Sequence, residues 1–129
     1  MVSMTALWIG RGLTALFTVF TLVGSAAPKL VGAKVARDSM ANLGWDPKYI
    51  VMIGVMETLF VIMQLHPRTS VLGAVLMTGL LGGAIASQLR AGEPLYTHVL
   101  FGLYLGIVMW AGLWLRDQRV RDLFGFGLN

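Results

Sequence analysis

Four long runs of uncharged or nearly uncharged residues dominate the sequence and limit the folds open to it. They cover residues 12–28, 49–65, 69–89 and 94–115. Each run is close to the roughly 20 residues that a helix needs to cross a hydrocarbon core about 30 Å thick. Because lipid offers the backbone no hydrogen-bond partners, segments of this kind must be helical. The sequence therefore predicts an all-α membrane protein, a four-transmembrane-helix bundle forming one domain over residues 1–129. The spans are predicted at about residues 8–28, 49–66, 69–89 and 95–115.

Composition supports a membrane protein and excludes several other classes. The chain is 57% hydrophobic and 12% charged, whereas a soluble domain has about 25% charged residues. It has no Cys, which excludes disulfides, thiol redox chemistry and thiolate-bound clusters. The net charge of +4 does not indicate nucleic-acid binding, because the Lys and Arg residues lie at the ends of the apolar runs, as membrane anchors do. Residues 25–27 resemble a signal-peptide cleavage site, but the apolar run is long and continues to Leu30, which favours a retained helix.

The one long connection, residues 29–48, predicts a short amphipathic helix between spans 1 and 2. Its apolar positions alternate with charged ones at roughly helical spacing, which is typical of a helix at the membrane surface. The positive charges do not decide the orientation, since five Lys or Arg residues fall on each side. Three arginines directly after the last span favour cytoplasmic termini, and these are Arg116, Arg119 and Arg121.

Glu57 is the most informative polar residue, because it lies midway along the second run, where an unpaired carboxylate is costly. It shares a helix face with Gln64. At 100° per residue the first span carries a polar stripe, which comprises Arg11, Thr14, Thr18, Thr21, Ser25 and Lys29. The stripe is predicted to face Glu57 and Gln64, with Arg11 as the partner of Glu57. Such a pair could hold two helices in register, or Glu57 could bind a ligand or act as a catalytic acid or base, and both roles are compatible.

The opposite membrane side carries a second group of candidates. Lys29 and His98 are expected to flank this mouth of the bundle, together with Gln88 and several aromatic residues. His98 could be part of an interfacial aromatic belt, or it could donate a hydrogen bond to a quinone carbonyl or relay a proton. No haem and no metal are expected, because the two His lie at opposite faces and no ligand cluster has suitable spacing.

Four glycines are predicted to mark close helix packing, namely Gly79, Gly83, Gly102 and Gly106. They form small-x-x-x-small pairs, which allow helix backbones to approach closely, either within the bundle or between two protomers. Small residues on the third span could alternatively leave room for a flat ligand.

Several short motifs, in order along the chain, resemble those of the DoxX-like family of small bacterial membrane proteins. They are Arg11, Gly24-x-x-x-Pro28-Lys29-Leu30, Leu43-Gly44-Trp45-Asp46-Pro47, Gly54-x-x-Glu57, His66-Pro67-Arg68-Thr69-x-x-x-Gly73-Ala74 and His98-x-x-Phe101-Gly102. The resemblance implies a four-helix bundle in the bacterial inner membrane. It also implies a place beside redox enzymes, since founding members are subunits of a thiosulfate–quinone oxidoreductase. Eukaryotic relatives act as receptor-assembly chaperones, so the fold does not determine the function.

The leading hypothesis from the sequence is a membrane subunit that binds a quinone or another lipophilic ligand and supports a redox-protein partner. The first alternative is a non-enzymatic assembly or structural protein, which could also form a homo-oligomer. The second is an enzyme on a lipid-soluble substrate with Glu57 as acid or base. The expected partners are the lipid bilayer and protein, with no nucleic acid.

Overall fold

In the computed structural model, four helices are long and apolar enough to cross a membrane. The structure describes residues 3–123. The helices, labelled in chain order, are α1 (Met4–Leu30), α2 (Lys34–Asn42), α3 (Pro47–Leu65), α4 (Ser70–Arg90), α5 (Leu95–Arg116) and α6 (Gln118–Leu123). Helices α1, α3, α4 and α5 are the four spans. The predicted all-α, four-span architecture is confirmed, and α2 is the predicted amphipathic helix between spans 1 and 2.

The four spans form a ring around an apolar interior. Helix α1 packs against α5 and, through its second half, against α3, while α4 packs against α3 and α5. The interior is filled by side chains that are at most 1% exposed: Phe17, Val61, Ala74, Met77, Met109 and Leu113. Large apolar side chains such as Leu16 and Val23 are more than 60% exposed on the outside. An outer surface of this kind suits lipid rather than water.

Glycines bring two pairs of helices into backbone contact. A Cβ on Gly73 would lie 2.5 Å from the backbone nitrogen of Gln64, so only glycine fits where α4 folds back on α3. A Cβ on Gly112 would lie 2.7 Å from Thr14 Oγ1, and one on Gly10 would lie 2.7 Å from Leu115 Cβ. The α1–α5 crossing therefore depends on Gly10 and Gly112, which were not among the predicted packing glycines.

The four predicted packing glycines have different surroundings. A Cβ on Gly102 would meet Ile85 Cγ1 at 2.9 Å and the Leu81 carbonyl oxygen at 3.1 Å, so α4 and α5 are close there. One on Gly106 would make an ordinary contact with Leu81 at 3.8 Å. Positions Gly79 and Gly83 have no described atom within 4 Å of an added Cβ. Packing between protomers remains the prediction for that pair.

Helix α1 ends deeper in the bundle than the level at which α3 begins, and α2 packs against α3 at this end of the bundle. A Cβ on Gly54 would lie 3.0 Å from Lys29 Cβ. Lys29 is therefore level with Gly54, about 10 Å along the α3 axis from Pro47 at 1.5 Å per residue. Ala36 and Met40 of α2 are buried against Ile50 of α3. Lys29 thus lies inside the bundle, which corrects the expectation that it flanks the mouth.

Residues Phe20–Ala26 of α1 form a π-helical stretch, whose turns are wider than those of an α-helix. Pro28 follows directly, and it lacks an N–H and crowds the carbonyl of the residue four positions earlier. That residue, Gly24, lies within the stretch, so the wider turn accommodates the proline. The rotation of 100° per residue that was used to predict the polar stripe therefore does not apply within residues Phe20–Ala26.

Candidate functional site

Glu57 is held by Lys29 and Ser25 in a partly buried hydrogen-bonded cluster. Lys29 Nζ lies 2.8 Å from Glu57 Oε1, and the side chains are 21% and 12% exposed. Ser25 Oγ lies 2.9 Å from Oε1 and 3.1 Å from Oε2 of Glu57. Lys29 also donates to Ser25 Oγ at 2.7 Å. Each member of the cluster contacts the other two, so the ammonium and the carboxylate neutralise each other within the bundle.

The predicted pairing of Arg11 with Glu57 is wrong. Lys29 is the cation that bonds Glu57, and Arg11 lies eighteen residues before Lys29, about 27 Å along a helix. The Arg11 guanidinium instead lies over the Trp8 ring, 4.9 Å from its centroid. The prediction assumed that every span crosses the membrane to the same depth, whereas α1 ends early and carries Lys29 inward.

Local sequence explains why the cluster forms. Gly54 has no side chain, so the backbone of α1 at Lys29 and Leu30 can approach α3 closely. Glu57 follows Gly54 by three residues and Lys29 follows Ser25 by four, so each pair projects from one helix face. The sequence placed Ser25 in the polar stripe but not among the candidate site residues. Its position one turn before Lys29 was the available signal.

A cavity of about 260 Å³ adjoins this cluster, between α1, α3, α4 and α5. Lys29, Ser25 and Glu57 line it together with Gln88 and His98. His98 is exposed, and its Nδ1 lies 2.8 Å from Thr97 Oγ1. The predicted neighbours Lys29 and His98 therefore line one cavity. Within the described residues, no three His, Asp or Glu side chains are grouped to hold a metal ion.

The rest of the cavity wall is mainly apolar and reaches the lipid-facing surface. Phe20 of α1 and Phe101 of α5 line it, and their rings are tilted with centroids 5.4 Å apart. Both are about 40% exposed, on the outside of the ring of helices. Phe20 and Phe101 therefore form a part of the cavity wall that faces the hydrocarbon on its outer side.

Two buried polar atoms of residues lining this cavity have no hydrogen-bond partner among the described residues. They are Thr21 Oγ1 and Gln88 Oε1. Buried polar atoms are nearly always paired, so an unpaired one requires an explanation such as a ligand. Thr21 is on α1 and Gln88 is on α4, so the unused hydrogen-bonding capacity lies on both sides of the cavity.

A second polar cluster, centred on Arg116, lies at the other end of the bundle. Arg116 Nε donates to Thr14 Oγ1 at 3.0 Å. Its Nη2 donates to the backbone oxygen of Gln64 at 2.8 Å and to Gln64 Oε1 at 3.1 Å. Thr18 lies one turn from Thr14, and its buried Oγ1 has no described partner. Sequence reasoning treated Arg116 only as a membrane anchor, although polar Thr14 and Gln64 were already predicted on this side.

Asp117, directly after α5, connects the segment that follows α5 to the turn between α3 and α4. Arg119 Nη2 lies 2.8 Å from Asp117 Oδ2, and it also donates to Ser70 Oγ at 3.1 Å and to the Pro67 carbonyl. Ser70, which is fully buried, lies 3.3 Å from Asp117 Oδ2. Hydrogen bonding from the Arg119 side chain lowers the pKa of Asp117, against the opposing effect of burial.

This lowered pKa predicts a loss of stability in acid. An aspartate pKa is about 3.9 in an unfolded chain, and here the folded value is lower. As the pH falls, Asp117 therefore takes up its proton in the unfolded state before it does so in the folded state. The stabilisation that the Asp117 carboxylate gives the folded protein is fully present above the pKa of the unfolded state, and it is lost as the pH falls through the pKa of the folded state. We expect the thermal unfolding midpoint in detergent to fall more steeply with acid in the wild type than in Asp117→Asn. Asp122→Asn is the matched control, and an equal acid response in wild type and Asp117→Asn would contradict the assignment.

A family model covers most of the chain. The model of the DoxX-like family matches residues 12–112, and the resemblance inferred from the motifs is confirmed. The match includes Ser25, Lys29, Glu57 and His98, while Arg116 and Asp117 follow it. No curated protein and no solved structure matches the chain.

Proposed function

The chain belongs to the DoxX-like family, and from this premise we propose that it is an integral membrane subunit that binds a quinone or a similar flat lipophilic ligand. The proposed site is the cavity beside the Lys29–Glu57 pair. One observation carries the proposal: a largely apolar cavity, with two lipid-exposed Phe rings in its wall, is lined by a neutral ion pair and by unpaired polar atoms on opposite walls.

The hydrogen-bonding groups of the cavity match both redox forms of a quinone. An ammonium has three donors, and two of those on Lys29 are used by Ser25 and Glu57. The third, with the imidazole of His98, can donate to two quinone carbonyls. In the quinol form the hydroxyls need acceptors, which Gln88 Oε1 and Glu57 supply. The same walls can therefore accommodate both forms.

Charge and size also favour a ligand of this type. Because Lys29 and Glu57 already neutralise each other, an uncharged ligand disturbs the site least. The volume of about 260 Å³ is slightly below the roughly 300–1,000 Å³ of pockets that enclose a whole ligand. It suits a ring, with a hydrocarbon tail leaving past Phe20 and Phe101 into lipid.

A redox partner protein completes the proposal. The chain has no Cys, so a thiol or iron–sulfur carrier of electrons would belong to another protein. The role proposed for this subunit is to hold the quinone where that protein can reach it.

Quinone binding can be measured directly on the purified protein in lipid nanodiscs, by calorimetric titration with a short-chain benzoquinone. We expect saturable binding by the wild type. His98→Ala should weaken binding about fivefold, because a hydrogen bond contributes about 1 kcal/mol. His66→Ala is the matched control, since His66 is exposed at the opposite membrane side, and its affinity should equal that of the wild type. Absence of saturable binding by the wild type, or equal losses in the two variants, would refute the proposal.

A further inference from the structure

A groove of about 430 Å³ lies at the membrane side opposite the quinone cavity. We call it the Arg11 groove. It is lined by Arg11, Thr14, Ala15 and Thr18 of α1, by Leu65 of α3 and by Arg116 of α5. Two guanidinium groups thus line one groove, and the proposed function above makes no use of them.

The positive charge of the Arg11 groove is only partly offset by the described residues. Neither Arg11 nor Arg116 forms an ion pair with a carboxylate of residues 3–123. The partners of Arg116 are the neutral oxygens of Thr14 and Gln64. Asp117 follows Arg116 in the chain and attracts it electrostatically, but the Asp117 carboxylate is bonded directly by Arg119. Two like charges near low-dielectric surroundings repel each other, so the groove favours an anion.

The hydrogen-bonding geometry indicates which anion. Guanidinium groups present paired N–H donors that match the oxygens of a phosphate. Arg116 uses Nε and Nη2 on the protein, and its Nη1 has no partner among the described residues. Arg11 forms no hydrogen bond with the described side chains, and its guanidinium lies over the Trp8 ring. Thr18 Oγ1 is also unpaired in this part of the structure.

The apolar part of the groove indicates that the phosphate is attached to a lipid. Val19 and Leu65 line the groove, and they are 60% and 43% exposed on the lipid-facing surface. Arg116 ends its span, and Arg11 lies seven residues from the start of α1, about 10 Å along the axis. The guanidinium groups are therefore near headgroup depth, with apolar surface leading from them toward the membrane centre.

The surrounding charges favour the same ligand. Five arginines and two aspartates lie on this side of the bundle: Arg11, Arg68, Arg116, Arg119, Arg121, Asp117 and Asp122. Basic pockets between transmembrane helices bind anionic lipid headgroups, and each nearby cation adds about 1 kcal/mol of attraction to an anionic surface. We propose that the Arg11 groove binds the phosphate of an anionic phospholipid, with one acyl chain along Val19 and Leu65.

The test compares lipids on the purified protein in a zwitterionic detergent. Bound lipid is counted by native mass spectrometry during titration with short-chain phosphatidylglycerol, short-chain phosphatidylcholine or inorganic phosphate. We expect phosphatidylglycerol to bind the wild type at least tenfold more tightly than phosphatidylcholine, and inorganic phosphate to compete only weakly. Added salt should weaken the preference, because it screens exposed charges.

Two variants locate the site. Arg11→Gln removes one guanidinium that holds no other helix, so the variant should fold and lose most of the preference for phosphatidylglycerol. Arg90→Gln, an exposed arginine at the other membrane side, is the matched control and should keep it. Equal affinity for the two lipids, equal losses in the two variants, or inorganic phosphate binding as tightly as the lipid would each overturn the proposal.

Discussion

Replacing Glu57 with leucine should destabilise the folded protein by about 3 to 5 kcal/mol, the usual cost of leaving one member of a buried ion pair without its partner. The Lys29 ammonium would keep only Ser25 Oγ as a bonding partner, at a position level with Gly54 inside the bundle. The free energy of unfolding in mixed micelles, followed by loss of helical circular dichroism, measures this effect.

The double variant Lys29→Met/Glu57→Leu distinguishes two costs: that of leaving Lys29 without a partner, and that of losing the Glu57 carboxylate itself. Replacing both members of a buried pair with apolar residues is often neutral or stabilising. We therefore expect the double variant to be clearly more stable than Glu57→Leu alone. It should also fail to bind quinone, although it folds. If the double variant is as unstable as the single one, Lys29 does not depend on Glu57 for its burial.

The second large effect is expected at Gly73, where an added methyl group has no room. Its Cβ would lie 2.5 Å from the Gln64 backbone nitrogen and 2.9 Å from the Met63 carbonyl carbon. Both are backbone atoms at the end of α3, so a side-chain rotation cannot relieve the contact. We expect Gly73→Ala to cost at least the 1 to 3 kcal/mol that is typical of overpacking, measured as the free energy of unfolding in micelles.

Gly79→Ala is the matched control, because it makes the same change six residues later in the same helix. No described atom lies within 4 Å of a Cβ at Gly79, and alanine favours a helix over glycine by about 1 kcal/mol. In the monomer, Gly79→Ala should therefore be neutral or stabilising. A loss at Gly79 as large as that at Gly73 would indicate that Gly79 packs against a second protomer, and a dependence on protein concentration would test that.

The bundle could be predicted from the sequence, but the pairing within it could not. Run length and the need for internal hydrogen bonding are enough to predict four membrane helices. Pairing Glu57 with a cation also requires the depth of each helix, and α1 ends at a level inside the bundle, where Lys29 lies beside Gly54. With Lys29 placed at the membrane face, Arg11 was the nearest cation that the sequence offered. Gly54 was the residue that could have corrected this, since a glycine facing α1 indicates close approach.

The polar stripe of α1 shows a second limit. When the residues of α1 are projected at a uniform 100° each, the six members of the stripe form one row and face the same neighbouring helix. In the structure Arg11, Thr14 and Thr18 line the Arg11 groove, while Thr21, Ser25 and Lys29 line the cavity beside Glu57. The π-helical stretch begins between the two groups, at Phe20. Helix projections assume one turn width, so this division could not be predicted from the pattern alone.

The exposure of Phe20 and Phe101 on the lipid-facing side of the cavity wall affects how any affinity for the cavity must be expressed. A molecule that enters there comes from the bilayer and diffuses in two dimensions, so the relevant concentration is its mole fraction in lipid. Apparent dissociation constants in bulk units will then rise in proportion to the lipid added at fixed protein. Ligands with the same contacts in the cavity will also differ in apparent affinity by the ratio of their partition coefficients.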